Sequence, residues 1–355
     1  MTCLAALSPD TVPDDPAALA ARLSGVAVAV VERVAGGGNN RLYRVEAETG
    51  RYALKCYDGN GDARLAREFE GLAFLAAGGV ACVPRPEAAD QGARAALYEW
   101  VEGVPAGRAP AERRAGDAAA AVGFVRRLAG LGDAPGAGRL ARATEACLSA
   151  AELAAQIDRR IGRLSQVAGE PALAGLLDGV RAVRADALAG LERRYRDAGL
   201  DPAAEIAPGL RCLSPSDFGF HNALRRADGS LVFLDFEYFG WDDPVKLVAD
   251  FLWHPGFTLS AAERQTWTEG TAAVFGADPG FAVRLAAQAP LYGLRWTLIL
   301  LNEFLPERWQ RRVFAGTAAG WAEAKAVQLG KARAWLSEAA RLAASRDPLP
   351  LPADR

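Results

Sequence analysis

The residues best suited to chemistry lie in one stretch, Ser214-Pro215-Ser216-Asp217-Phe218-Gly219-Phe220-His221-Asn222, followed by Leu231-Val232-Phe233-Leu234-Asp235-Phe236-Glu237. Asp217 and Asn222 stand five apart in a loop-like segment, and Asp235 follows Asn222 by thirteen. Between them a short strand, the turn Asp228-Gly229 and the run Leu231 to Leu234 predict a hairpin. A hairpin returns the chain to its start, so Asn222 and Asp235 end up close together. Three oxygen-bearing side chains then converge. Oxygen donors suit Mg²⁺, a hard cation usually held by one or two carboxylates together with substrate phosphates.

An Asp, an Asn five positions on and a second Asp at the end of a hairpin form the layout of kinase-type phosphoryl transfer. There, one Asp orients and deprotonates an acceptor hydroxyl, and the Asn and second Asp hold Mg²⁺ against nucleotide phosphates. Each residue taken alone is an ordinary turn former; their joint spacing argues against three unrelated turns. Lys55, inside the apolar run Tyr52-Ala53-Leu54-Lys55-Cys56-Tyr57, is one of only four lysines among 41 basic residues. A compact ammonium there can reach phosphate oxygens, or it can lie on the solvated face of a strand. Gly36-Gly37-Gly38 permits close backbone approach to a phosphate and serves equally well as a plain turn.

Four stretches resemble the aminoglycoside phosphotransferase and choline kinase-like family, in the family's order. They are Gly36-Gly37-Gly38-Asn39-Asn40-Arg41-Leu42-Tyr43-Arg44-Val45, Tyr52-Ala53-Leu54-Lys55, Arg67-Glu68 with Leu72 and Leu75, and the Asp217 to Glu237 block. The resemblance implies an α+β, bilobal protein kinase-like fold with nucleotide between a small β-rich lobe and a larger, mostly helical lobe. It implies Asp217 as the catalytic Asp and Asn222 and Asp235 as metal ligands. Lys55 matches the lysine on the nucleotide phosphates, and Glu68, preferred over Glu70, its helix partner. Gly37, Gly38, Asn39 and Asn40 match the phosphate-covering loop. The segment Tyr98 to Val101, including Glu99 and Val101, matches the hinge that contacts adenine through its backbone. Mg²⁺ and ATP or GTP follow as the implied cofactor and co-substrate.

Two positions depart from the family pattern. Pro215 stands two residues before Asp217, where the family usually has a His that helps shape the catalytic loop. Many relatives place another Asp, a structural one, within the stretch Asp243-Pro244-Val245-Lys246-Leu247. The family motif assigns no chemistry to His221, which reads as a structural loop residue or a phosphate contact. His254, in Trp253-His254-Pro255-Gly256, reads as a helix terminator. For the acceptor, Arg295, Asn302 and Glu303 are spaced to share one helix face amid apolar residues. Buried polar groups need partners, which an acceptor bearing hydroxyls or an internal network could supply.

The elements that must position these residues can be read from periodicity. Val26 to Val34, Leu42 to Val45, Tyr52 to Tyr57 and Ala95 to Trp100 predict strands, with a hairpin turn at Glu48-Thr49-Gly50-Arg51. Residues 62–77 shift to a helical period. Segments 112–132, 145–167 and 172–198 are Ala-, Leu- and Arg-rich helices, 222–235 is a short β-like island, and helices follow to about residue 345. The expected organisation is a lead-in over 1–24, a nucleotide-binding lobe over 25–103, a catalytic and acceptor-binding lobe over 104–346 and a loose tail over 347–355.

Composition excludes other classes. Hydrophobic residues make up 51% and charged residues 24% of 355, which is globular, and 41 basic against 43 acidic residues leave no field to hold a nucleic-acid backbone. Two histidines cannot build a many-histidine zinc site. Five scattered cysteines read as reduced thiols. The absence of a basic, apolar leader and of a long apolar run points to the cytoplasm. The expected activity is transfer of a nucleotide γ-phosphoryl group to a small-molecule hydroxyl, on a sugar, amino alcohol or similar compound. A protein kinase is disfavoured, since Asp243-Pro244 follows Glu237 too closely to admit a long activation segment. A non-catalytic nucleotide-binding scaffold is the other alternative, supported by Pro215 and opposed by the intact Lys55, Asp217, Asn222 and Asp235. Acceptor identity, ATP versus GTP and oligomeric state are not legible in the sequence.

Overall fold

The computed structural model describes residues 15–34, 40–58, 62–109, 114, 116–315 and 320–345. The N-terminal part is a five-stranded antiparallel sheet of β1 (Val28–Val34), β2 (Arg41–Ala47), β3 (Gly50–Cys56), β4 (Pro86–Asp90) and β5 (Ala95–Glu99), in the order β1-β2-β3-β5-β4. β2 and β3 form a hairpin in which Ala47 pairs with Gly50. In β1 the register slips between Val28 and Val30. This bulge turns Val28 and Val31 to the core and leaves Val30 exposed, so strict alternation from Val26 does not hold.

Residues 16–24, expected as lead-in, form helix α1 (Pro16–Ser24). Asp15 caps it by accepting from the Ala17 and Ala18 N–H groups, and Pro16 occupies the first turn, where no N–H is needed. Leu19 and Ala20 are fully buried in a small core with Val45, Leu54 and Leu97 of the sheet. Helix α2 (Asp62–Ala77) buries Leu65, Leu72 and Leu75 in the main core.

Beyond the two-residue strand β6 (Val104–Pro105), the chain is mainly helical: α3 (Asp117–Gly130), α4 (Ala150–Leu164) and α5 (Pro171–Asp197). Four short strands then carry the motif region: β7 (Cys212–Ser214), β8 (Ala223–Arg225), β9 (Leu231–Phe233) and β10 (Gly240–Asp242). β8 and β9 make the expected hairpin, and β7 pairs with β10. Helices α6 (Pro244–Trp253), α7 (Ala261–Phe275), α8 (Phe281–Leu300), α9 (Pro306–Ala315) and α10 (Trp321–Ala344) complete the chain.

The main core lies beneath the motif region. Phe124, Phe218, Phe233 and Phe236 pack ring against ring, and Phe218 also meets Phe251 and Trp267. Phe218 and Phe236 each adjoin a predicted site residue, so the packed aromatics fix the backbone at Asp217 and Asp235. Among the described residues, no helix is long and apolar enough to cross a membrane.

Candidate active site

Lys55, next to the last residue of β3, lies opposite Leu42 on one side and Ala96 on the other. Its ammonium donates to Glu68 Oε2 and to Asp235 Oδ1, each at 2.7 Å, and lies 3.9 Å from Glu237. Glu68 reaches it from α2 and also accepts from the Tyr57 hydroxyl at 2.7 Å, while Glu70 is exposed. Burial works to lower the Lys55 pKa, but Asp235, Glu68 and Glu237 together outweigh it and hold it well above its ordinary value. The lysine is therefore a fixed positive charge joining the sheet to the motif region.

Asp235 follows β9 with a positive φ of 66°, a conformation that costs a non-glycine residue free energy and clusters at functional sites. The hairpin closes where the sequence places it: the Leu234 N–H donates to the Asn222 carbonyl at 2.8 Å. Asn222 Nδ2 donates to the Asp217 carbonyl at 3.1 Å, which leaves Oδ1 as the outward end of the amide. A carboxylate and an amide oxygen thus sit on adjacent strand ends, a donor set that fits Mg²⁺. Glu68, Asp235 and Glu237 also bring carboxylate oxygens within 4.8 Å of one another. Burial pushes the Asp235 carboxyl up; Lys55 opposes this, and Glu237 and Glu68 add to it.

Asp217 sits in the loop after β7. The Nε2 atoms of His221 and His254 lie 3.3 and 3.2 Å from its Oδ1. Burial alone would raise the Asp217 pKa, yet the two imidazoles of His221 and His254 beside it outweigh this and hold the carboxyl well below its usual range. Asp217 is a carboxylate at neutral pH. The two imidazoles stack with centroids 3.6 Å apart, and Phe257 stacks on both. His254 does end α6, as the sequence suggested, but its ring also meets Asp217. Both histidines of the chain therefore face one carboxylate, and their rarity was the one signal that could have singled them out.

Sequence reasoning also missed Glu237. It is 1% exposed, accepts from Asn40 Nδ2 at 2.7 Å and lies 3.2 Å from Arg64, which also pairs with Asp58. Its spacing of two from Asp235 was the available clue. Asn40, expected on the phosphate loop, has its amide N–H committed to this network. Gly37, Gly38 and Asn39 lie outside the described residues. At the expected hinge, the Glu99 N–H donates to the Arg85 carbonyl at 2.8 Å and the Trp100 N–H to the Arg51 carbonyl at 3.3 Å. Val101 is buried beside them.

The shared helix face of Arg295, Asn302 and Glu303 is corrected. Helix α8 stops at Leu300, and Leu301–Phe304 is a 3₁₀ turn. Arg295 is satisfied internally, its Nη1 bridging both Asp250 oxygens at 3.0 and 3.2 Å and its Nε reaching Gln156. Glu303 accepts from Arg312 at 2.7 Å, and the Asn302 carbonyl accepts from the Leu305 N–H. The partners that a face argument leaves unassigned come from α4, α6 and α9.

Comparison with known proteins agrees with this geometry. Residues 30–282 match the Phosphotransferase enzyme family, and the chain belongs to that family. It is accordingly a phosphotransferase with an alcohol group as acceptor, built on the protein kinase-like fold. A search of curated proteins found no match. Among solved structures, it is similar to a putative aminoglycoside phosphotransferase from Ralstonia eutropha (TM-score 0.57, 19% identity, 92% of this chain and 96% of that one). It is similar also to a choline kinase from Streptococcus pneumoniae (TM-score 0.52, 18% identity, 87% and 94%). A third is a thermostable mutant aminoglycoside phosphotransferase solved with ADP and hygromycin B (TM-score 0.54, 18% identity, 93% and 99%).

Proposed function

We propose that this protein moves the γ-phosphoryl group of ATP or GTP to a hydroxyl of a small-molecule acceptor, with Asp217 as the base and Mg²⁺ held by Asn222 and Asp235. The observation that carries this reading is the bridge from Lys55 to both Glu68 and Asp235, with Asp235 tied through the hairpin to Asn222 and Asp217. In this reading the lysine, the two oxygen ligands and the base lie together where β3 meets the β8–β9 hairpin. A scaffold has no need of a carboxylate held ionised beside two imidazoles.

In this reading Lys55 binds phosphate oxygens and Glu68 holds its direction. Of the hinge donors, Glu99 and Trp100 already donate within the protein, so Val101 is the one assigned to the nucleotide base. Mg²⁺, when bound, neutralises phosphate charge. Asp217 orients the acceptor hydroxyl and takes its proton as the new oxygen–phosphorus bond forms and the bond to the bridging oxygen breaks, releasing the nucleoside diphosphate. The related structures named as choline kinase and aminoglycoside phosphotransferase support an amino alcohol or a sugar as the acceptor class.

The test is Mg²⁺-dependent consumption of ATP and GTP against sugars, amino alcohols, nucleosides and aminoglycosides, with the product identified by mass. A phosphorylated small molecule is expected. Thermal stabilisation by Mg-nucleotide with no phosphorylated product from any acceptor favours the scaffold instead.

A further inference from the structure

Asp217 cannot be placed by the usual means in this chain, because Pro215 stands where a shaping His is expected. The structure supplies two other supports, and both come from α6. The first is Lys246, which is fully buried. Its ammonium donates to Ser216 Oγ at 2.8 Å and lies 3.0 and 3.1 Å from Asp242 and Asp250. Ser216 Oγ in turn lies 3.2 Å from the Thr144 carbonyl. Ser216 has a φ of 68°, and the Asp217 N–H donates to the Pro215 carbonyl at 2.9 Å. A bond from residue i+2 back to residue i across a positive φ is the rare, strained form of γ-turn. Such a conformation persists only where its surroundings over-determine it. A buried ammonium fixed by two carboxylates and aimed at the hydroxyl of the strained residue provides that restraint.

The second support is His254 at the other end of α6. Its Nδ1 accepts from the Gly256 N–H at 2.9 Å. An imidazole nitrogen that accepts carries no proton, so the ring proton sits on Nε2, 3.2 Å from Asp217 Oδ1. The same bond decides against a cation held by Asp217, His221 and His254. Coordination through Nε2 places a proton on Nδ1, where it meets the Gly256 N–H.

We propose that α6 mounts the catalytic loop at two points, Lys246 on Ser216 and the Nε2–H of His254 on Asp217 Oδ1, leaving Oδ2 as the oxygen that takes the acceptor's proton. Lys246, Ser216 and His254 are positioning residues. Their effect on rate rests on the phosphotransfer reading above; the geometry does not.

The experiment uses the full chain. Ser216→Ala keeps every charge and removes only the hydroxyl. It is expected to lower kcat about 10-fold or more while acceptor KM and Mg-nucleotide Kd change by less than about threefold. Lys246→Met is expected to lower kcat similarly, and adding Ser216→Ala to it produces no further loss. If Lys246→Met fails to fold, Ser216→Ala alone decides. His254→Gln retains a donor near the Nε2 position and is expected to stay within about fivefold of wild type, whereas His254→Asn loses about 10-fold or more. Wild-type kcat in Ser216→Ala, or equal losses in the Gln and Asn variants, overturns the proposal.

A second readout needs no turnover. With two histidines in the chain, ¹⁵N-histidine labelling gives two imidazole patterns. At pH 7.5, His254 is expected to carry its proton on Nε2, with that resonance shifted by Asp217→Asn. A proton on Nδ1 refutes the mount. A wild type that transfers no phosphoryl group yet shows the Nε2–H form refutes the proposed function and leaves the mount standing.

Discussion

The meeting of Asn222 and Asp235 was legible in the sequence because a hairpin is local, and its turn chemistry fixes which residues meet. Lys246 and His254 were not, because their positions relative to Asp217 come from the docking of α6. For Arg295 the sequence left an acceptor and an internal network open for a related reason, and the structure shows the network. Its face of α8 is apolar, but the partners that satisfy it, Asp250 and Gln156, belong to other helices. Two expectations belong to single residues. Lys55→Met is expected to weaken Mg-nucleotide binding about 10- to 100-fold, the worth of a charge-assisted bond, as read by calorimetry. His254 gives a pH signature. Burial and the neighbouring His221 lower its pKa, outweighing Asp217 and Asp250, which raise it. The folded state therefore favours the neutral ring, and the unfolded chain takes up the proton first as pH falls below about 6.5. The stability that His254 contributes is present above that pH and is lost below it. Urea titrations should show the margin of wild type over His254→Asn shrinking from pH 7.5 to 5.5; a margin that grows contradicts the assignment.

Among the elements, β2, β3 and β5 and the helices of the second half followed from periodicity, whereas α1 and β4 did not. The short helix α1 depends on its Asp15 cap and on a sheet surface that only the fold creates. Helix α6 matters most for function, since it carries both supports of the catalytic loop, and its seat against α8 is close. A Cβ added at Gly293 would stand 2.5 Å from the ring of Trp253, the last residue of α6. Trp253 is fully buried and has no room to turn aside. Gly293→Ala is therefore expected to cost about 1–3 kcal/mol in chemical denaturation, the usual penalty of overpacking. Because the clash displaces the end of α6 that carries His254, kcat should fall more than acceptor KM rises. A destabilised variant with unaltered kcat would show that α6 can move without moving Asp217.

For the whole molecule, the sheet and the helical part are joined at the site itself, by Lys55 reaching Asp235 and by Asn40 and Arg64 reaching Glu237. A ligand seated there bridges both parts. Mg-nucleotide at a hundred times its Kd should add about 2.7 kcal/mol to stability, seen as a rise in Tm. Asp217→Asn should keep this rise, and Asp235→Asn should lose its Mg²⁺ dependence. The overall architecture was legible because four motifs occur in order along the chain. The acceptor was not, since the residues chosen for it form internal ion pairs and hydrogen bonds. The central claim is that Asp217 acts on the acceptor and not on the nucleotide. The most direct measurement compares wild type and Asp217→Asn for phosphoryl transfer and for Mg-nucleotide Kd in the same preparation. The account predicts transfer reduced about 10²- to 10⁴-fold, the range of a lost general base, with Kd within about threefold of wild type. Transfer at the wild-type rate, or a loss of nucleotide binding that matches the loss of transfer, would contradict it.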